Sequence, residues 1–323
     1  MLEPYLTAFL DYLEKEHPQG EPESLYTPST YILGLGGKRV RPVLTLMAAD
    51  ICQSDFRAAL PAALAVEVFH NFSLVHDDIM DAAPLRRGKP TVHQKWDVNT
   101  GILSGDAMLV AAYRYFEGYP PALFKPLVSC FSQMAIQVCE GQQMDIDFPK
   151  QQNVQLPEYL KMITYKTAVL LGCALELGAR IGGATDTEAA QWNALGQNLG
   201  IAFQLQDDYL DTFGQAETFG KQIGGDIIEN KKTFLYLFAL KQSSAADQKQ
   251  LMQWYTEEST DDSSQKIKAV KTIFTNCGAD TAIRQEIENY TQKAFGQLTS
   301  LPYSDRQLKP LHSLATALLD RTA

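Results

Sequence analysis

What this chain lacks narrows it first. Its five cysteines, Cys52, Cys130, Cys139, Cys173 and Cys277, are odd in number and scattered, with no Cys-x-x-Cys pair and no histidine at metal spacing. No disulfide framework or zinc motif can be read from them, and reduced, buried thiols are the expectation. Positive charge is also short: 28 Lys+Arg stand against 38 Asp+Glu, a net charge of −10. That balance disfavours non-specific binding to DNA or anionic lipid, so no nucleic-acid partner is expected. The N-terminal stretch MLEPYLTAFLDYLEKEH has acidic residues inside its apolar pattern and no basic opening, unlike a signal peptide. No apolar run continues unbroken for the eighteen or so residues of a membrane span. A soluble, cytoplasmic chain without stable membrane insertion is therefore expected. Alternating strand-like runs are missing as well.

What is present is helical periodicity. Leu2, Tyr5, Leu6, Phe9, Leu10 and Leu13 recur at helical spacing, as do Leu64, Val68, Phe72 and Val75. A third stripe holds Trp192, Leu195, Leu199, Ala202 and Leu205. Glycine and proline fall between such stretches: Gly34, Gly36 and Gly37 precede Pro42, which suits the first turn of a helix. Pro84, Gly88 and Pro90 follow one acidic cluster, and Gly214, Gly220, Gly224 and Gly225 follow another. An apolar content of 45% suits a sizeable core. The 323 residues read as one all-α domain, a single large helical bundle spanning residues 1–323.

The acidic clusters are Asp77, Asp78 and Asp81 in DDIMD, and Asp207, Asp208 and Asp211 in DDYLD. On a helix, residues four apart are offset by about 40°, so the first and fifth members of each cluster share a side. Like charges at that spacing repel, and a cation relieves the repulsion. Hard carboxylate oxygens suit Mg²⁺, which takes one or two protein carboxylates and fills its shell with phosphate and water. Two clusters facing each other across a bundle would clamp a diphosphate through bridging metals.

The few cations are grouped. GLGGKRVRP supplies Lys38, Arg39 and Arg41 after flexible glycines, and PLRRGKP supplies Arg86, Arg87 and Lys89 just beyond the first aspartates. Lys166, Lys221, Lys231 and Lys232 stand singly in TYKTAVLL, FGKQIGGD and ENKKTF. An acidic protein that gathers cations beside its aspartates is built to hold an anion. His70, two turns before Asp77 on roughly the same face, reads as a hydrogen-bond donor to that anion. His76 and His93 stay undecided.

With these residues in place, the chain resembles the trans-isoprenyl diphosphate synthases, the polyprenyl synthetase family. The resemblance runs from GGKRVRP through EVFHNFSLVHDDIMDAAPLRRGKPTVH, GQQMD, YKTAVLL and FQLQDDYLD to GKQIGGDIIENKKTF. It implies the isoprenoid synthase fold, with a central cavity flanked by two Asp-rich helices, and commonly a homodimer. Lys38, Arg41, His70 and Arg87 match positions that hold the diphosphate of isopentenyl diphosphate. Asp77, Asp81 and Asp207, with Asp211 close by, match ligands of three Mg²⁺ ions. Arg86, Lys166, Thr167, Gln204, Lys221 and Lys231 match contacts to an allylic diphosphate, with Lys232 as the alternative to Lys231. Gln142 and Asp145 match a supporting pair. The implied reaction is head-to-tail condensation of isopentenyl diphosphate with dimethylallyl, geranyl or farnesyl diphosphate, through Mg²⁺-assisted ionisation.

In this family bulky residues upstream of the first motif floor a tunnel for the growing tail. Phe72 stands five positions before Asp77 with the small Ser73 beside it, and Phe69 lies one turn further back. An aromatic there, with no insertion in DDIMD, resembles geranylgeranyl diphosphate synthases making the C20 product. Farnesyl diphosphate, C15, is the alternative. A terpene cyclase normally lacks a second motif like DDYLD, and a non-catalytic subunit of a heteromeric synthase usually loses one cluster, whereas both are complete here.

Overall fold

In the computed structural model, the described residues are 2–52, 55–151, 153–215, 223–256 and 263–319. Helices account for nearly all regular structure among them, and local chemistry sets their ends. The first is α1 (Glu3–Glu16), with Pro4 in its opening turn, where a missing N–H costs nothing. Next come α2 (Glu23–Gly34), α3 (Val40–Ile51) and α4 (Leu60–Met80). After α4 a short hairpin pairs β1 (Leu85–Arg86) with β2 (Lys89–Pro90). The short α5 (Val92–Lys95) leads to α6 (Val98–Arg114), capped by Asp97, which accepts from the Thr100 amide at 2.8 Å.

Further on are α7 (Pro121–Asp147) and α8 (Leu156–Ile163), the latter opened by a reciprocal Gln155–Glu158 cap. A π-helical turn, Thr164–Ala168, joins α8 to α9 (Val169–Ile181), and α10 (Asp186–Phe213) follows. Beyond it lie helices Gly225–Ile228, Phe234–Gln242, Ala245–Thr256, Ser263–Asn276, Ala279–Ser300 and Asp305–Leu319.

The chain divides into two compact units. One comprises residues 1–133, 173–193 and 302–310, and the other residues 134–172, 194–301 and 311–323. In the first unit α4 is buried on most sides, with Leu64, Val66, Val68 and Phe69 fully enclosed, and α3, α5 and α6 pack against it. A helix apolar nearly all round has to be central, and its alanines let neighbours approach. In the second unit Tyr159, Ile163, Ala168, Leu205, Leu235, Phe274 and Ile283 form the core. Every member of the α4 and α10 stripes read from the sequence is buried.

No apolar run is unbroken, yet three helices among the described residues are apolar on average. By length and composition, Phe56–Met80, Pro121–Lys150 and Leu156–Ile181 are each apolar enough to cross a membrane. Scattered polar residues conceal this from a search for uninterrupted runs. The first and third bury 67% and 78% of their most apolar stretch inside the protein, whereas the second buries 28%.

Candidate active site

In the first unit the DDIMD aspartates occupy the last turn of α4, and Asp81 is its C-terminal cap. The helix dipole is negative there, so carboxylates accumulate where they are least favoured and a cation is the natural complement. The three are not equivalent. Asp78 is 1% exposed and takes Arg86 Nε at 2.9 Å on both oxygens and Arg86 Nη2 at 2.7 Å. Arg86 reaches it because the hairpin turns back through Arg87 and Gly88, both at positive φ (53° and 73°). Arg86 Nη2 also lies 3.9 Å from Asp77 Oδ2. Asp77 is half-buried and Asp81 exposed.

The cations read as an isopentenyl diphosphate site belong to the same unit. Arg41 Nη1 lies 3.3 Å from His70 Nε2, and Arg87 Nη1 donates to the Gly36 carbonyl. Lys38 follows Gly37 and is exposed. Burial, reinforced by Arg41, Arg87, Arg86 and Arg39, holds the His70 pKa well below the usual imidazole range. A neutral ring accepting at Nε2 carries its proton on Nδ1 and donates from there. Arg41 Nε is buried without a hydrogen-bond partner among the described residues, a donor that an anion could satisfy. His76, undecided from sequence, places Nε2 at 3.2 Å from the Ile102 carbonyl, a structural contact.

The second unit repeats the pattern of the first cluster. Asp208 is 4% exposed; Tyr159 Oη donates to its Oδ2 and Gln204 Nε2 to its Oδ1 at 3.0 Å. Thr167 Oγ1 in turn donates to Gln204 Oε1 at 3.2 Å. Burial, with Asp226 adding to it, pushes the Asp208 carboxyl well above the usual range. Asp211 accepts the Asp226 amide at 3.1 Å. Burial also raises the Asp226 carboxyl, with Glu229 and Asp207 adding to the rise and Lys231 opposing it.

In each motif the second carboxylate is held inside the protein, while Asp77, Asp207 and Asp211 are half-buried and Asp81 is exposed. Hard oxygen donors in this arrangement fit Mg²⁺. Among the described residues no three metal-ligating side chains already converge, so a bound ion relies on diphosphate and water to complete its shell.

Lys166 sits in the π turn, with Nζ 2.5 Å from Asp145 Oδ2. Lys231 lies 3.4 Å from Asp226 and 2.8 Å from Glu229, whereas Lys232 donates to the carbonyls of Pro149 and Gln151. Lys221 lies outside the described residues. Phe72 is 8% exposed and Phe69 fully buried. Their rings meet edge-on at 5.4 Å, and Phe69 meets Phe131 at 5.3 Å. Ser73 Oγ donates to the His70 carbonyl at 2.9 Å.

Sequence reading missed Asp226 and Tyr159. A carboxylate directly after paired glycines in GKQIGGD was a visible signal for Asp226. Tyr159 looks like any apolar member of a helical stripe, and only the fold brings its hydroxyl to Asp208.

The sequence pattern of the polyprenyl synthetase family matches residues 22–273. A geranylgeranyl pyrophosphate synthase of Geoglobus acetivorans is 36% identical over 312 residues, covering 96% of this chain and 94% of that one. A crystal structure of a geranylgeranyl pyrophosphate synthase is 49% identical, with a TM-score of 0.96 over 100% of this chain and 99% of that one. A geranylgeranyl pyrophosphate synthase from Corynebacterium glutamicum, complexed with isoprenyl diphosphate and magnesium, is 27% identical, with a TM-score of 0.84 over 99% and 98% of the two chains. With the helical fold, the paired aspartate motifs and a family match over most of its length, this chain belongs to the polyprenyl synthetase family.

Proposed function

We propose that this chain joins isopentenyl diphosphate head-to-tail to an allylic diphosphate, with geranylgeranyl diphosphate as the main product. The observation that carries the reading is the shared division of labour in the two motifs: Asp78 and Asp208 are locked inside by Arg86 and by Tyr159 with Gln204. Asp77, Asp81, Asp207 and Asp211 would hold Mg²⁺, three ions with substrate bound. Bound Mg²⁺ supplies Lewis acidity that draws charge off the leaving diphosphate.

Arg86, Lys166, Gln204, Lys221 and Lys231 hold the allylic diphosphate and neutralise the charge that grows on it. Lys231, which lies beside Asp226, takes this place, with Lys232 as the alternative. Lys38, Arg41, His70 and Arg87 hold the second diphosphate. Breaking the allylic C–O bond leaves a carbocation, whose charge Thr167 and the carbonyls of the π turn stabilise. The double bond of isopentenyl diphosphate attacks it, a C–C bond forms, and the departed diphosphate takes the proton that is lost. No side-chain nucleophile takes part.

Phe72 sets the floor for the growing tail, and Phe69, enclosed against Phe131, backs it. The enzyme works as one domain in the cytoplasm, as a homodimer. Large apolar side chains left exposed on α6, Leu103 at 60% and Val110 at 61%, suit a subunit interface.

Purified protein with Mg²⁺, dimethylallyl diphosphate and excess labelled isopentenyl diphosphate should yield geranylgeranyl diphosphate, and Phe72→Ala should lengthen the product. Farnesyl diphosphate would place the floor above Phe72. No product at all would sink the enzyme reading.

A further inference from the structure

Beneath the cationic turn lies a buried ion pair to which no role has yet been given. Arg39 is 6% exposed and Glu67 3%. The Arg39 guanidinium donates through Nη1 to Glu67 Oε1 and through Nη2 to the Leu33 carbonyl. Asn71 Nδ2 donates to the same Glu67 oxygen at 3.1 Å and to the Glu67 carbonyl at 2.8 Å. Desolvation offsets much of the attraction in a buried pair, so such a pair is weak evidence of stabilisation. What it fixes is geometry.

The geometry it fixes is unusual. Arg39 has φ 48° and ψ 36°, a left-handed conformation that non-glycine residues seldom keep unless their surroundings impose it. It stands between exposed Lys38 and Arg41, so its backbone sets the direction of both. The other end of the turn is fastened by Arg87, whose Nη1 donates to the Gly36 carbonyl. Gly37, at φ 128°, leaves room there: a Cβ would come within 2.8 Å of Arg87 Nη2. On α4, Glu67 and Asn71 flank His70, which faces Arg41 at 3.3 Å. Glu67 is also the carboxylate whose charge favours the protonated forms of both Arg41 and Arg87. One buried anion thus steadies a group of guanidinium ions that would otherwise repel one another.

We propose that Arg39 and Glu67 are positioning residues for the diphosphate of isopentenyl diphosphate. They lock the Gly36–Arg41 turn and keep Lys38, Arg41 and Arg87 gathered before substrate arrives, so binding does not have to order them. The inference rests on the assignment of Lys38, Arg41 and His70 to that diphosphate.

Steady-state kinetics with each substrate varied in turn tests it on the full-length enzyme, using Arg39→Lys, Glu67→Gln and Arg41→Gln. Arg39→Lys keeps the charge but loses the fork. Both it and Glu67→Gln should raise KM for isopentenyl diphosphate by about ten-fold or more, the scale on which outer partners of a ligand act. KM for dimethylallyl diphosphate and kcat should stay within about two-fold of wild type. If Arg41→Gln leaves KM for isopentenyl diphosphate unchanged, the assignment of the diphosphate site fails. If Arg41→Gln raises it but the other two do not, the positioning role is overturned. Both KM values and kcat worsening together, in step with lost thermal stability, would equally overturn it by making the pair purely structural. Should neither variant fold, Asn71→Ala, which removes both bonds onto Glu67, decides by the same split.

Discussion

The two middle aspartates behave unlike their neighbours, and mutation should separate the roles. Asp77→Ala and Asp207→Ala should lower kcat by roughly a thousand-fold, the several kcal/mol that a metal supplies, with little change in unfolding. Tyr159→Phe leaves buried Asp208 short of a donor and should cost about 1–3 kcal/mol of stability, read by urea denaturation without metal. His70 offers a pH test. Its pKa is held below the ordinary value, so the unfolded chain takes up a proton on acidification before the folded one does. Stability should therefore fall as pH drops below about 6.5, the unfolded imidazole value. His70→Gln should remove that part of the fall, measured as denaturation midpoints between neutral and acidic pH. The carboxylates, cations and His70 were legible as residue types at fixed spacing. Which carboxylate turns inward was not, because Tyr159 lies far from Asp208 along the chain and its hydroxyl leaves no periodic trace.

At the scale of elements, the π turn between α8 and α9 needs an unusual neighbour. A Cβ on Gly141 would come within 2.3 Å of the Lys166 backbone nitrogen, so α7 can lie against that turn only with glycine there. Gly141→Ala should cost about 1–3 kcal/mol, as overpacking does. By shifting Lys166 and Thr167 it should also raise KM for the allylic diphosphate, and thermal melts with kinetics on both substrates check this. The helices themselves were readable because their buried faces recur every three to four residues. The π turn was not, since the extra residue it absorbs shifts the phase of a stripe without changing its composition. The hairpin β1–β2 was visible only as glycine and proline punctuation, because two-residue strands are too short to alternate.

At the scale of the whole molecule, exposed apolar area on α6 carries the prediction. The proposed homodimer should sediment as a dimer, and Leu103→Glu combined with Val110→Glu should convert it into a monomer, seen by sedimentation velocity, with secondary structure unchanged. The acidic balance of the chain pointed away from nucleic acid, and the local grouping of its cations pointed towards an anionic small molecule. Neither property says which surface meets a second copy. The exposure of Leu103 and Val110 is what supports the proposal for α6.

The first compact unit is not finished until residues 302–310 have been made, for it includes them. Tyr303 donates to Cys52 Sγ at 3.0 Å and lies against Trp192, ring to ring at 6.1 Å. Gln307 donates to the Ile51 carbonyl at 3.4 Å. During synthesis the N-terminal helices leave the ribosome long before these closing residues exist, at about 5–20 residues per second. For many seconds α3 and the start of α10 wait without their last cover. A nascent chain arrested before residue 302 should therefore keep its Cys52 thiol open to alkylation, and release of the completed chain should close it.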